Sequence, residues 1–197
     1  MTEFIASVSA LVALGVLLSA GVGHSLHLQA VAGLIREQSV WSAGHETVVA
    51  VAALSSELLL SLIGLTMILV DWGSRYLPLI LLSAAAVYIA FALYASYLVR
   101  KRPGAPCACS AKSDAASGHT VWRAAVLAGL SLAASALSDK IIAPLHDHGV
   151  MVGGILVAAC VGLAVPLWTL PAALRNPFDQ ATNSSSFPTG GPHVIRA

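Results

Sequence analysis

Long apolar stretches almost free of charge constrain this chain more than any other feature. Residues 4–22 and 77–99 carry no charged side chain, and residues 48–70 carry only Glu57. A soluble fold of 197 residues cannot hide this much apolar surface. Lipid can accommodate it, provided each segment satisfies its own backbone polar groups, which makes the runs helices. They are too continuous for barrel strands, which alternate in polarity. Composition agrees: 57% of residues are hydrophobic and 10% charged, against about 25% charged in an ordinary soluble domain.

Two further runs complete the set. Residues 124–137 are short and rich in Ala, Ser and Gly, and Val121 and Trp122 extend them to 121–138. Residues 150–174 contain Pro166 and Pro171. A span needs roughly 20 apolar residues. The expectation is an all-α, polytopic transmembrane helical bundle with spans near 4–22, 48–70, 77–99, 121–138 and 150–174. Four spans plus a re-entrant 121–138 segment is the alternative. Residues 1–175 form one membrane domain, and the Pro-, Ser- and Gly-rich 176–197 reads as a disordered tail. No Lys or Arg precedes the first run, as a secretory signal would require, so it is expected to stay as a permanent span.

The small residues Ala125, Gly129 and Ala133 recur at every fourth position, a spacing that suits close helix packing. Between the first two spans, Leu28, Val31, Leu34 and Ile35 fall at helical spacing. A short helix lying in the membrane interface fits them.

Lys and Arg in short loops set orientation. With five spans and an outer N-terminus, the inner side holds Arg36, Arg100, Lys101, Arg102, Lys112, Arg123, Arg175 and Arg196. The outer side holds Arg75 and Lys140. The expected localisation is a multi-pass cell-membrane protein with its N-terminus outside. Its C-terminus and the loop after Arg100 are then cytoplasmic. A net charge of +1 implies no nucleic-acid partner, and no nucleotide-binding glycine loop is present.

Cys107-Ala108-Cys109 follows the Pro/Gly segment 103–106. Good disulfide geometry is hard to reach across one residue. A strained, exposed disulfide is labile, and labile disulfides are the catalytic or regulatory ones. Arg100, Lys101, Arg102 and Lys112 flank the pair, and positive charge favours the reactive thiolate. A dithiol that exchanges with a partner fits this pattern. Soft-metal binding by two thiolates and loop cysteines without chemistry are the other readings. Cys160, within the fifth run, reads as a small buried residue.

Glu57 falls near the middle of the second span, where a carboxylate is costly. It must be protonated or face a partner in the bundle. Ser55, Ser56 and Ser61 supply hydroxyls on the same helix. A proton-linked or binding role and an interhelical packing bond are both open. Seven histidines are many for such a chain. His146 and His148 flank Asp147 and offer an alternative zinc or copper site. No hydrolase motif is present: there is no Gly-x-Ser-x-Gly and no His-Glu-x-x-His. No cofactor is implied.

Taken in order, these features resemble the MauE family of methylamine-utilisation membrane proteins and the DoxX-like redox-associated group around it. The resemblance rests on the intramembrane acid Glu57, the basic end of the third span, Cys107 and Cys109, and Trp122-Arg123 opening the fourth span. It spans most of residues 1–175. The chain departs from the family in several places. The family often has Cys-Gly-Cys, and many members carry a Lys after the first span, where this chain has His24.

The resemblance implies a thiol-redox accessory protein, uncertain as an enzyme, that supports disulfide formation or exchange. In the family this serves maturation of methylamine dehydrogenase, an exported redox enzyme, with a thioredoxin-like partner. Cys107 and Cys109 would be the exchanging pair, with Glu57, Trp122, Arg123 and His24 supporting. Disulfide work on exported proteins belongs outside the cytoplasm, whereas the charge bias places the cysteines inside. A metal-binding or metal-transport protein and a non-catalytic partner subunit are the rival functions.

Overall fold

A computed structural model describes residues 2–38, 40, 44–70, 74–102, 105 and 116–141. Every regular element among them is helical. Helix α1 spans Thr2–Leu26, α2 Leu28–Gln38, α3 Glu46–Val70, α4 Leu77–Lys101 and α5 Gly118–Ala136. Single 3-10 turns lie at Ser74–Tyr76 and Ser138–Lys140. The expected fifth span, 150–174, and the tail, 176–197, lie outside the described residues.

Three of these helices are long and apolar enough to cross a membrane: Thr2–Leu26, Glu46–Leu69 and Leu77–Lys101. At 1.5 Å per residue, 25 residues reach about 37 Å, more than the ~30 Å hydrocarbon core. Each extends past its apolar run because polar and charged residues continue the helix into the interface. Helix α5 is an unbroken 19-residue helix but falls outside this group. The short helix expected between the first two spans is α2. It is set off from α1 by a turn at His27 and packs Val31 and Ile35 against Ala50 of α3.

The outer faces of the bundle match a lipid solvent. Leu59, Leu62, Ile63 and Leu69 on α3 are exposed, as are Leu79, Leu82, Ile89 and Leu93 on α4. Hydroxyl side chains within the helices bond back to their own turns, which spares lipid an unsatisfied donor. Ser56 donates to the Ala53 carbonyl, Thr66 to Leu62, Ser83 to Leu79 and Ser96 to Ala92.

The helices run antiparallel in sequence order of the spans, and the cross-helix contacts fix their register. A Cβ at Gly64 would lie 2.8 Å from Leu14, and one at Gly21 would lie 2.8 Å from Leu58. Tyr88 donates to the Ala13 carbonyl at 2.6 Å, joining α4 to α1. Ser135 donates to Pro78, joining α5 to α4, and Ser7 donates to Ile141, joining α1 to the turn after α5. Thus the C-terminal ends of α1 and α4 and the N-terminal ends of α3 and α5 share one end of the bundle. Arg36, Arg100, Lys101, Arg102 and Arg123 lie towards that end. Arg75 and Lys140 lie at the other.

The small-residue repeat of α5 does not face the other described helices. Ala125, Gly129 and Ala133 are exposed among the described residues. Helix α5 instead packs through Leu127, Ala128, Ser131 and Ala134. The four-residue repeat marked a continuous face, but periodicity carries no information about which face a neighbour occupies.

Candidate functional site

The site begins with a glycine. Gly21 lets α3 approach α1 so closely that a Cβ there would sit 2.8 Å from Leu58 and 3.3 Å from the Cβ of Glu57. Three residues further along α1, on the same helix face, His24 therefore meets Glu57. The His24 Nδ1 lies 2.8 Å from Glu57 Oε2. Glu57 is fully buried and His24 is 7% exposed. The contact gives the carboxyl group a polar partner inside the bundle, which offsets the cost of a lone acid some 16 Å along α3 from its start.

The serines near Glu57 do not serve its carboxyl group. Ser61 donates to the backbone carbonyls of Glu57 and Leu58, and Ser56 to that of Ala53. Oε1 of Glu57 is buried and accepts no hydrogen bond from any of the described residues. An unsatisfied buried oxygen costs roughly 1–3 kcal/mol, and more when charged.

A cavity of about 50 Å3 lies against the pair. Its walls are Val16, Leu17, Ala20 and His24 of α1, Glu57 of α3, Tyr88 and Phe91 of α4, and Thr120, Arg123, Ala124 and Leu127 of α5. The lining is graded along the bundle. His24, Thr120 and Arg123 lie towards the end that carries the α4–α5 loop, while Val16, Leu17 and Leu127 close the deep side. Four helices contribute, so the site exists only in the assembled bundle.

The structure thus brings together His24, Glu57 and Arg123 from the sequence reading. Trp122 is 68% exposed and turns away from them; it suits an aromatic anchor at the membrane interface. Cys107, Cys109, His146, His148 and Cys160 lie outside the described residues. The flanks of the cysteine loop are described: the Ala105 amide donates to the Arg102 carbonyl, and the Ala116 amide donates to the Ala105 carbonyl at 2.9 Å. Among the described residues no cluster of three or more His, Cys, Asp or Glu could hold a metal ion. Tyr88, Phe91 and Thr120 escaped the sequence reading. The one available signal was the run of Tyr88, Phe91, Tyr94 and Tyr97, one aromatic at every third position of the span.

These features define a helical membrane protein with a histidine–carboxylate pair enclosed among its helices. Residues 1–137 match the family model of the methylamine utilisation protein MauE, and the chain belongs to the MauE family. The match takes in α1 to α5, with His24, Glu57, Cys107, Cys109, Trp122 and Arg123, and ends before His146, His148 and Cys160. No curated protein and no solved structure gives a significant match.

Proposed function

We propose that this MauE-family chain is a membrane accessory protein for methylamine utilisation that acts by thiol–disulfide exchange through Cys107 and Cys109. Its family description supports the process. The sequence supports the chemistry, with two cysteines one residue apart between α4 and α5. The observation that carries the reading is the position of that segment. It leaves the basic end of α4, Arg100-Lys101-Arg102, and returns where Ala116 bonds back to Ala105. Basic residues lower a thiol's pKa and raise its thiolate fraction.

In the exchange, one thiolate of the pair attacks a partner disulfide and expels a partner thiolate. The second cysteine resolves the mixed disulfide. Two electrons pass from the pair to the partner, and the reverse sequence oxidises a partner dithiol. A thioredoxin-like protein and an exported redox enzyme are the partners this chemistry suits. The excess of Lys and Arg at this end of the bundle supports a cytoplasmic loop and an outer N-terminus.

Thiol labelling of intact cells with a membrane-impermeant maleimide tests the proposal, using a Cys160→Ser variant with and without prior reduction. Reduction-dependent labelling confirms a redox-active pair. Its appearance in intact cells places the pair outside, and its appearance only in opened membranes places it inside. Labelling indifferent to reduction overturns the exchange reading. So does full support of methylamine growth by a chain lacking all three cysteines.

A further inference from the structure

Glu57 uses one of its two carboxyl oxygens on His24. The other, Oε1, is buried against the cavity and accepts from none of the described residues. Buried polar atoms in folded proteins find a partner, in protein or in water. The cavity, about 50 Å3, exceeds the roughly 10–15 Å3 that one water needs. We propose that it is a hydrated proton-binding site, in which the Glu57 carboxyl group takes up and releases a proton through water from the loop end of the bundle.

Three features argue for exchange over a static packing bond. The first is the graded lining. Thr120, in the first turn of α5, and Arg123 sit on the loop side, whereas Val16, Leu17 and Leu127 seal the side towards the bundle centre. Water therefore has a polar approach from one end and an apolar stop beyond the pair. The second is the division of labour on Glu57. His24 holds Oε2 in place, so Oε1 can gain or lose a proton without breaking the α1–α3 contact. The third is the set of groups that face the pair from the other two helices. Arg123 of α5 lines the cavity on the loop side and is the charged group that α5 contributes. Tyr88 of α4 is engaged as a donor to the Ala13 carbonyl and supplies an apolar ring. On α1 and α3 the cavity meets no titratable side chain besides the pair itself.

A proton arriving from water at the loop end passes along the cavity water to Oε1. Release reverses the path, and no electron transfer is involved. The proposal does not rest on the thiol reading.

Infrared spectroscopy on the full chain in lipid nanodiscs tests it. A carboxylic-acid carbonyl band should grow as pH falls and shift promptly in D2O. Glu57→Gln should remove one component of the band, and His24→Gln should move that component's midpoint. Ala124→Leu, which fills the cavity, should slow the D2O shift several-fold. The band should persist in the Cys107→Ser/Cys109→Ser variant, so failure of the thiol chemistry leaves this result distinct. A wild-type protein with no pH-dependent carboxyl band overturns the proposal. So does a difference spectrum between wild type and Glu57→Gln that shows no carboxylic-acid component, or one that fails to shift in D2O.

Discussion

His24 and Glu57 show how a pair of residues can be indispensable singly and replaceable together. Each makes the other tolerable inside a low-dielectric bundle, and removal of one leaves the other buried with an unmet polar group. His24→Ala should therefore destabilise the protein by roughly 3 kcal/mol, as removal of one partner from a buried pair does. The double variant His24→Leu/Glu57→Leu should lose much less, because neither polar group remains to be satisfied. Unfolding of the purified protein in detergent, run as a double-mutant cycle, measures the coupling. Additive effects of the two substitutions would show that the pair contributes nothing jointly. Trp122 and Arg123 illustrate another residue-scale point. Adjacent helical residues point about 100° apart, so one faces the interface and the other the cavity.

At the scale of elements, two glycines set the distance between α1 and α3. Added Cβ atoms at Gly21 and Gly64 would fall 2.8 Å from Leu58 and Leu14 respectively. Leu14 is fully buried in the core with little room to yield. Gly64→Val should therefore part the helices and cost about 1–3 kcal/mol, the usual range for overpacking. Gly33 of α2 has open space around its Cα. Gly33→Ala should stabilise by about 0.5–1 kcal/mol, since it removes backbone freedom from the unfolded chain at no steric cost. Thermal unfolding of the two variants side by side tests the contrast, and equal effects would argue against close α1–α3 packing. The serines of these helices have a related part. Bonded to their own turns, Ser19, Ser56 and Ser61 let a span carry hydroxyls without demanding a partner.

For the whole molecule, the charge is distributed unevenly between the two ends of the bundle. The described cations lie mostly at the end where α4 and α5 are joined. Thr120 and Arg123 line the cavity on the side towards that end, and the chain leaves α4 and enters α5 there. On the proposed reading, the same residues would both direct insertion and raise local thiolate content. Replacing Arg100, Lys101 and Arg102 by Gln should produce a mixed population of orientations, measured by a reporter fused to the C-terminus. A uniform orientation in that variant would show that other segments determine topology. The same variant separates insertion from reactivity, because thiol labelling rates can be measured in its correctly oriented fraction.

Much of the architecture was legible in the sequence, because lipid imposes a simple rule. Apolar runs such as 77–99 must be helical, and their length sets the reach of α1, α3 and α4 across a bilayer. The amphipathic spacing of Leu28, Val31 and Ile35 likewise foretold α2. Glu57 announced itself as a residue in need of a partner, and the cost of an isolated carboxylate in hydrocarbon is a local fact. Which group met it was not local. The His24–Glu57 contact spans 33 positions and depends on how closely α1 and α3 approach at Gly21, with α2 intervening between them. The tertiary structure alone decided that Ser61 turns back to its own helix and that α5 buries Leu127 and Ala128 in place of Ala125 and Gly129. It alone assembled Tyr88, Thr120 and Arg123 around one cavity. Hydrophobicity selects the solvent of each segment, whereas the rotation and register of packed helices follow from side-chain fit between segments, which no single segment encodes.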